Sequence, residues 1–327
     1  MSIVREKVGI RGGVQSQVQH DSAVKHVTGE AIFIDDIPPL PDTLEAVFFT
    51  SQHAHAKILD VDTEAALKIE GVAGVILAED IPGRNDIAPV FENEPVLADG
   101  VVEYVGQPIA IILAETYDIA LNAIKKIIVK YKVLKPVLTI KEALKRESYT
   151  FPPQTIERGN PLQGISGAKH KLKGKVSCGG QDHFYLEGQI ALVQPGEDKD
   201  MLVYSSTQHP TEAQHGVANI LGVPVNDITV EVRRMGGAFG GKESQSTIIA
   251  AAAALGAFKT GKPVKMRLRR DDDMVITGKR HDFEFEYTVG CNDKGLIEGV
   301  DIIMAMRSGN VADLSSGVLG RVLCHAD

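Results

Sequence analysis

From Leu44 onward, short apolar runs alternate with polar, turn-rich interruptions. The run "LEAVFFTSQ" (Leu44 to Gln52) predicts a strand. "DTEAALK" (Asp62 to Lys68) opens on an acidic residue and continues in good helix formers, so it predicts a helix. "GVAGVILAEDIPG" predicts a short buried strand closed by a Pro-Gly turn. Further on, "QPIAIILAE" is apolar almost throughout, "TYDIALNAIKK" carries apolar residues at helical spacing, and "IIVKYKVL" partly alternates. Together they predict a strand, helix, strand unit.

The texture changes between about Lys135 and Gly174, where "FPPQ", "RGNP" and "QGISG" predict a domain boundary or long linker. Beyond it, "KLKGKVSCG", "IALVQP" and "MLVYSST" predict strands. "PTEAQHGVANILG" predicts a helix that Gly222 ends, and "DITVEVRR" the strand leading to a glycine-rich segment. After that segment come a helix, "ESQSTIIAAAAALGAFKTGKP", closed by Gly261 and Pro263, and the strands "VKMRLRR", "FEFEYTVG" and "LIEGVDIIMAM". The last two are joined by the turn "CNDKG". The class is mixed α and β, in two domains, without internal repeats.

A length of 327 residues with 43% hydrophobic positions suffices for two cores. The formal net charge of -8, with no basic stripe of interleaved aromatics, argues against nucleic acid as a partner. "MSIVREKVGIRGG" has no apolar core of signal-peptide length, and no run approaches the roughly 18 apolar residues of a membrane span. A cytoplasmic location is expected. Cys178, Cys291 and Cys324 are widely separated, form no metal-type pair, and are expected to be buried free thiols.

The glycine-rich segment is "MGGAFGGKES", Met235 to Ser244. Gly236, Gly241 and Lys242 satisfy the first three demands of a phosphate loop, but Glu243 stands where a hydroxyl should reach magnesium. A nucleotide therefore fits poorly. Four glycines in six residues ahead of a helix suit either close approach to a ligand or tight packing of helix on sheet. Glu243 reads as a helix-dipole partner or as a carboxylate that binds a polar ligand or handles a proton.

Other candidates are weaker. His53 and His55 in "HAHAK" alternate as a one-face pair on a strand would, without a third metal ligand. "RRDDDM" (Arg269 to Met274) predicts a solvated acidic cluster. "GGQDHFYLE" contains His183, Tyr185 and Glu187 with no nucleophile placed beside them, so a hydrolase triad is not supported.

Three ordered motifs, "GGQDHFYLE" (Gly179 to Glu187), "SSTQHPTEAQ" (Ser205 to Gln214) and "RRMGGAFGGKES" (Arg233 to Ser244), resemble the molybdenum-binding subunit of the xanthine dehydrogenase and aldehyde oxidase family. The resemblance covers nearly the whole chain. "SAVKHVTGEAIFIDDIPP" and "TSQHAHAKI" look like the family's α/β hammerhead domain, and "KRHDFEFEYTVG" and "GRVLCHAD" match later stretches. It implies an α+β fold, with a hammerhead domain over residues 1–145 and a first molybdopterin-binding domain over 146–327. The hammerhead domain is expected to be the self-contained part.

The resemblance also implies a molybdopterin-molybdenum cofactor whose own chemistry hydroxylates an electron-poor carbon with oxygen taken from water. Gln208 matches the glutamine that hydrogen-bonds the metal's oxo ligand. Phe239 and Gly240 match the loop backbone nearest molybdenum, and none of these residues is a direct ligand. Glu243 and Arg321 match an acid and an arginine that hold a purine, a pair that suits hypoxanthine or xanthine better than simple aldehydes.

The family's subunit runs roughly twice as far, so this chain is expected to be an amino-terminal piece that lacks the general base. No residue here is assigned that role. Partners implied are the carboxy-terminal half, whose docking face on the second domain would be apolar and exposed, and a polypeptide bearing 2Fe-2S and FAD centres. The alternatives are a non-catalytic fragment, an aldehyde-oxidising relative and, remotely, a P-loop nucleotide-binding protein.

Overall fold

The protein is described by a computed structural model covering residues 19–325. The opening segment "MSIVREKVGIRGG" and the last two residues of "GRVLCHAD" lie outside the described residues. In chain order the first stretch contains α1 (Ala23–Thr28), β1 (Leu44–Thr50), β2 (Ala56–Asp62), α2 (Glu64–Leu67), β3 (Val72–Ile76), β4 (Val101–Val102), β5 (Pro108–Ala114), α3 (Tyr117–Ile124) and β6 (Ile128–Val133). Next come α4 (Ile140–Lys145), α5 (Pro161–Gly167), β7 (His170–Cys178), β8 (Ile190–Pro195), β9 (Met201–Ser205), α6 (Pro210–Leu221) and β10 (Ile228–Glu231). The remainder is α7 (Ser246–Thr260), β11 (Val264–Arg267), α8 (Arg270–Ile276), β12 (Phe283–Cys291), β13 (Ile297–Met306) and α9 (Ser315–Cys324).

Seven strands form the main sheet in the order β10-β9-β8-β11-β1-β5-β3. All seven residues of β5 are buried. Ile111 and Leu113 face the core that surrounds α7, while Ala110, Ile112 and Ala114 face α3. That two-sided cover is why "QPIAIILAE" lacks a polar alternation. α7 is buried from Ser246 to Ala257, with no polar side, and small residues let its neighbours come close. A Cβ added at Gly256 would lie 2.7 Å from Leu113 Cδ2, and one added at Gly216 of α6 would lie 2.4 Å from Thr247 Cγ2. α6 begins with Pro210 and its His209 cap and ends at Gly222, and α7 ends at Gly261; both glycines are left-handed.

Three readings change. β5 and β6 do not form one unit, because β6 leaves the main sheet and pairs antiparallel with β2 in the small sheet β4-β2-β6. Its solvent-facing alternation could not survive in a sheet covered on both faces. The expected linker near Lys135 to Gly174 contains α4 and α5, and α5 packs on the third sheet, β13-β12-β7, through close backbone contact at Gly164, Gly290 and Gly299. On that sheet Leu172, Val176, Ile297 and Ile303 are exposed.

The third change concerns the hammerhead stretch. β1 pairs in parallel with β11, Leu44 opposite Val264 and Ala46 opposite Met266, so strands from both halves of the chain share one sheet and one core. A fragment ending at residue 145 loses β11 and α7, which cover β1 and β5. It is expected to show no cooperative thermal transition by circular dichroism, whereas the whole chain should; a sharp transition of the fragment would restore the self-contained domain.

Candidate functional site

One end of the main sheet gathers the three motifs. β9 and β10 run parallel, so the segments after Ser205 and after Glu231 leave at the same end. β8 is antiparallel to β9 and β11 antiparallel to β8, which brings the segment before Ile190 and the start of α8 to that end as well.

Beneath the glycine segment lies a buried polar network. The Glu187 and Gly236 main chains meet, with the Glu187 N–H donating to Gly236 O at 3.1 Å and the Gly236 N–H donating to Glu187 Oε2 at 2.9 Å. Lys242 is 0% exposed. Its Nζ donates to Glu187 Oε2 at 3.1 Å and Ser206 Oγ at 2.7 Å, and it lies 4.7 Å from the centre of the Tyr185 ring. Burial holds the Lys242 ammonium below the ordinary lysine value, and the Glu187 carboxylate opposes that shift.

Next to it, the Tyr185 hydroxyl donates to Asp273 Oδ1 at 2.6 Å, and Gln189 Nε2 donates to both the Tyr185 hydroxyl and Gly241 O at 2.9 Å. Burial and the neighbouring Asp273 push the Tyr185 phenol well above its usual value. Asp273 is only 2% exposed and also accepts from the Gln189 main chain. The solvated reading of "RRDDDM" therefore fails at Asp273, which shares the buried face of α8 with Ile276.

The upper face of the segment is open. Gln208 Oε1 accepts from the Gly240 N–H at 2.9 Å and the Lys242 N–H at 3.3 Å, and the Gln208 N–H returns a bond to Lys242 O at 2.8 Å. Two main-chain donors on one side-chain oxygen fix the amide's orientation, and its Nε2 donates to no described protein group. Phe239 is 75% exposed and left-handed at φ 56°. For a residue with a Cβ that conformation costs about 1–2 kcal/mol, a strain of the kind found where a loop must meet a ligand. Gly237 and Gly240 are left-handed too, and a Cβ at Gly241 would come 2.7 Å from Tyr185 and 2.8 Å from His183.

This geometry fits a molybdopterin cofactor over the loop. Gln208 presents an unused donor, and Phe239 and Gly240 are exposed. Lys242, by contrast, points inward, away from any phosphate that a P-loop would hold.

Glu243 is half-buried just ahead of α7. Its negative charge adds to the rise at Glu212 and Asp313, whose carboxyls are pushed up chiefly by burial. Arg321 lies on α9. Leu319 and Leu323 of α9 line an open cavity of about 2030 Å³, and Arg321, two positions from each, is exposed on the opposite face. Among the described residues no ion pair links Arg321 to Glu243.

His53 and His55 sit between β1 and β2, not on a strand; His53 packs edge-on to Tyr131 and His55 Nδ1 is 3.3 Å from Lys135 O. Among the described residues no group of three or more His, Cys, Asp or Glu is placed to hold a metal ion, and no helix is long and apolar enough to cross a membrane. Cys178 and Cys324 are exposed and Cys291 is half-buried, against the expectation of burial. Cys178 ends the edge strand β7, whose residues are almost all exposed.

The large cavity lies behind the start of α7 and takes only Gln245 from the glycine region. Gln245 Nε2 donates to Asp313 Oδ2 at 3.3 Å, and Glu94 stands beside this pair. Burial, then the charges of Asp313 and Asp86, push Glu94 from 4.5 up to about 8. One oxygen of Glu94 and one of Asp313 are buried without a hydrogen-bond partner.

A mixed sheet thus presents a strained glycine loop, backed by a glutamine amide and underpinned by a buried charge pair. The family model described as a molybdopterin cofactor-binding domain matches residues 142–327, and the aldehyde oxidase and xanthine dehydrogenase α/β hammerhead domain matches residues 28–135. The chain belongs to the xanthine dehydrogenase and aldehyde oxidase family of molybdenum hydroxylases.

It is 42% identical over 309 residues to a xanthine dehydrogenase/oxidase of Gallus gallus, and 42% identical over 308 residues to an aldehyde oxidase 2 of Cavia porcellus. Each match covers 94% of this chain and 23% of the relative, so the chain spans less than a quarter of the length of those relatives. Quinoline 2-oxidoreductase from Pseudomonas putida 86 shares the fold with a TM-score of 0.77 at 23% identity, over 88% of this chain and 38% of that one. CO dehydrogenase from Oligotropha carboxidovorans does so with a TM-score of 0.78 at 21% identity, over 89% and 39%.

Because Glu94 is more basic folded than unfolded, its contribution to stability is complete below 4.5 and is lost as pH rises towards about 8. Glu94→Gln is expected to flatten the fall in urea midpoint across that window. An unchanged pH slope would count against the raised carboxyl. Tyr185→Phe leaves Asp273 and Gln189 short of a buried partner and should lower unfolding free energy by roughly 1–3 kcal/mol, read from denaturant curves.

Proposed function

We propose that this chain forms the cofactor-facing wall of a xanthine dehydrogenase-type molybdenum hydroxylase that oxidises hypoxanthine or xanthine. The observation that carries this reading is Gln208, held through its oxygen by Gly240 and Lys242 so that its amide donor is free above the loop. When bound, the cofactor supplies the redox centre and the water-derived oxygen. This chain's residues would then orient and shield: Gln208 would donate its free amide N–H to the bound cofactor, and the exposed Phe239 ring would pack against it. Glu243 accepts an N–H of the purine.

The general base and the 2Fe-2S and FAD centres that take the electrons belong, on this reading, to other parts of the enzyme or a partner polypeptide. The same reading divides the chain near residue 145 into a hammerhead domain and a molybdopterin-binding domain that share a sheet.

A second reading, an aldehyde-oxidising enzyme, is favoured by equal identity to an aldehyde oxidase and by the lack, among the described residues, of an ion pair between Arg321 and Glu243.

Metal and pterin analysis of the protein expressed with molybdate should find both groups bound, and their absence would sink either reading. In the loaded enzyme, Glu243→Ala is expected to lower kcat/KM for xanthine by about ten- to a hundredfold, with little effect on an aromatic aldehyde. An equal loss for both substrates, or none, would favour the aldehyde reading. Arg321→Ala should leave both rates within about twofold, as a solvated side chain does.

A further inference from the structure

We infer that Lys242 is a positioning residue whose buried ammonium closes the glycine segment into its ligand-ready shape before any cofactor arrives. The inference rests on the cofactor reading above for its purpose, though not for its geometry. Both ends of the segment are fastened to a single oxygen: the Gly236 N–H and the Lys242 Nζ each donate to Glu187 Oε2, at 2.9 and 3.1 Å. Ser206 donates to that oxygen as well, at 2.5 Å, and accepts from Lys242. An ammonium has three donor hydrogens. Glu187 and Ser206 take two, and the face of the Tyr185 ring receives the third side of the charge.

No donor of Lys242 remains for an external ligand. Its main chain is tied as firmly, since the N–H shares Gln208 Oε1 with Gly240 and the carbonyl accepts from the Gln208 N–H, Thr207 Oγ1 and Ser246 Oγ. A shift of the Lys242 anchor therefore moves the Gln208 amide and the exposed loop at Gly240 together.

A charge pair removed from water can be replaced by neutral groups with little loss of stability, whereas removal of one partner strands the other. Stability and loop order should thus separate. The test is amide hydrogen exchange on the whole chain without cofactor, for wild type, Lys242→Met, and Lys242→Met combined with Glu187→Gln. In wild type the Gly240 and Lys242 amides are expected to be protected. Both variants should raise exchange at these two positions at least tenfold, while in the double variant the amides of α7 and β8 return to wild-type values.

If exchange rises evenly over the molecule, or if the double variant restores protection at Gly240 and Lys242, Lys242 is an ordinary core residue and the inference falls. Should neither variant fold, Ser206→Ala removes one acceptor only. It should raise exchange severalfold at Gly240 and not in β8, and unchanged exchange at Gly240 would overturn the inference equally. Molybdenum content after loading is measured separately. Wild type with a protected loop and no molybdenum would overturn the cofactor reading and leave the role of Lys242 standing.

Discussion

α7 is buried around its whole circumference from Ser246 to Ala257, and the main sheet and α6 are arranged to cover it. A helix of this kind cannot lie on a surface; it must be enclosed by other elements. One flank is covered by α6, and the sheet covers another through β8, β9 and β11, then β1 and β5. Those strands come from both halves of the chain, so the enclosure of α7 joins a stretch near residues 44–114 to one near 190–267. The alanines and Gly256 are the condition for this packing, because larger side chains would push Leu113 and Val264 away.

The same enclosure sets the site. Once α7 is fixed, its first turn lies at the end of the sheet where β9 and β10 stop and β8 starts. The segment Gly236 to Lys242 must bridge β10 and α7 across that end, and it does so in left-handed conformations at Gly237, Phe239 and Gly240. A bridge of this shape is held from below by charge and from above by an amide. The glutamine sees the outside, and the lysine does not.

The sequence made the three motifs and most elements legible, including α6 with its Gly222 stop, because capping and hydrophobic spacing are local. The joints between motifs were not legible. Lys242 has the local pattern of a phosphate-binding lysine, and only the order of strands shows that Glu187 and Ser206 lie beneath it. Asp273 is hidden in a run of three aspartates, where only the helical register with Ile276 singles it out. β6 was misplaced for a similar reason, since a helix after a strand does not say which sheet receives the next strand.

Arg321 is a different case, because its place on α9 is legible from helical spacing alone. In "SGVLGRVLC", Leu319 and Leu323 are one turn apart and claim the inward face of α9. An arginine midway between them must then point outward. Glu243 has instead the company of Glu212 and Asp313, so the electrostatics of this corner are acidic on the chain's own account. Among the described residues no ion pair engages the Glu243 carboxylate, which remains a hydrogen-bond acceptor in an acidic corner.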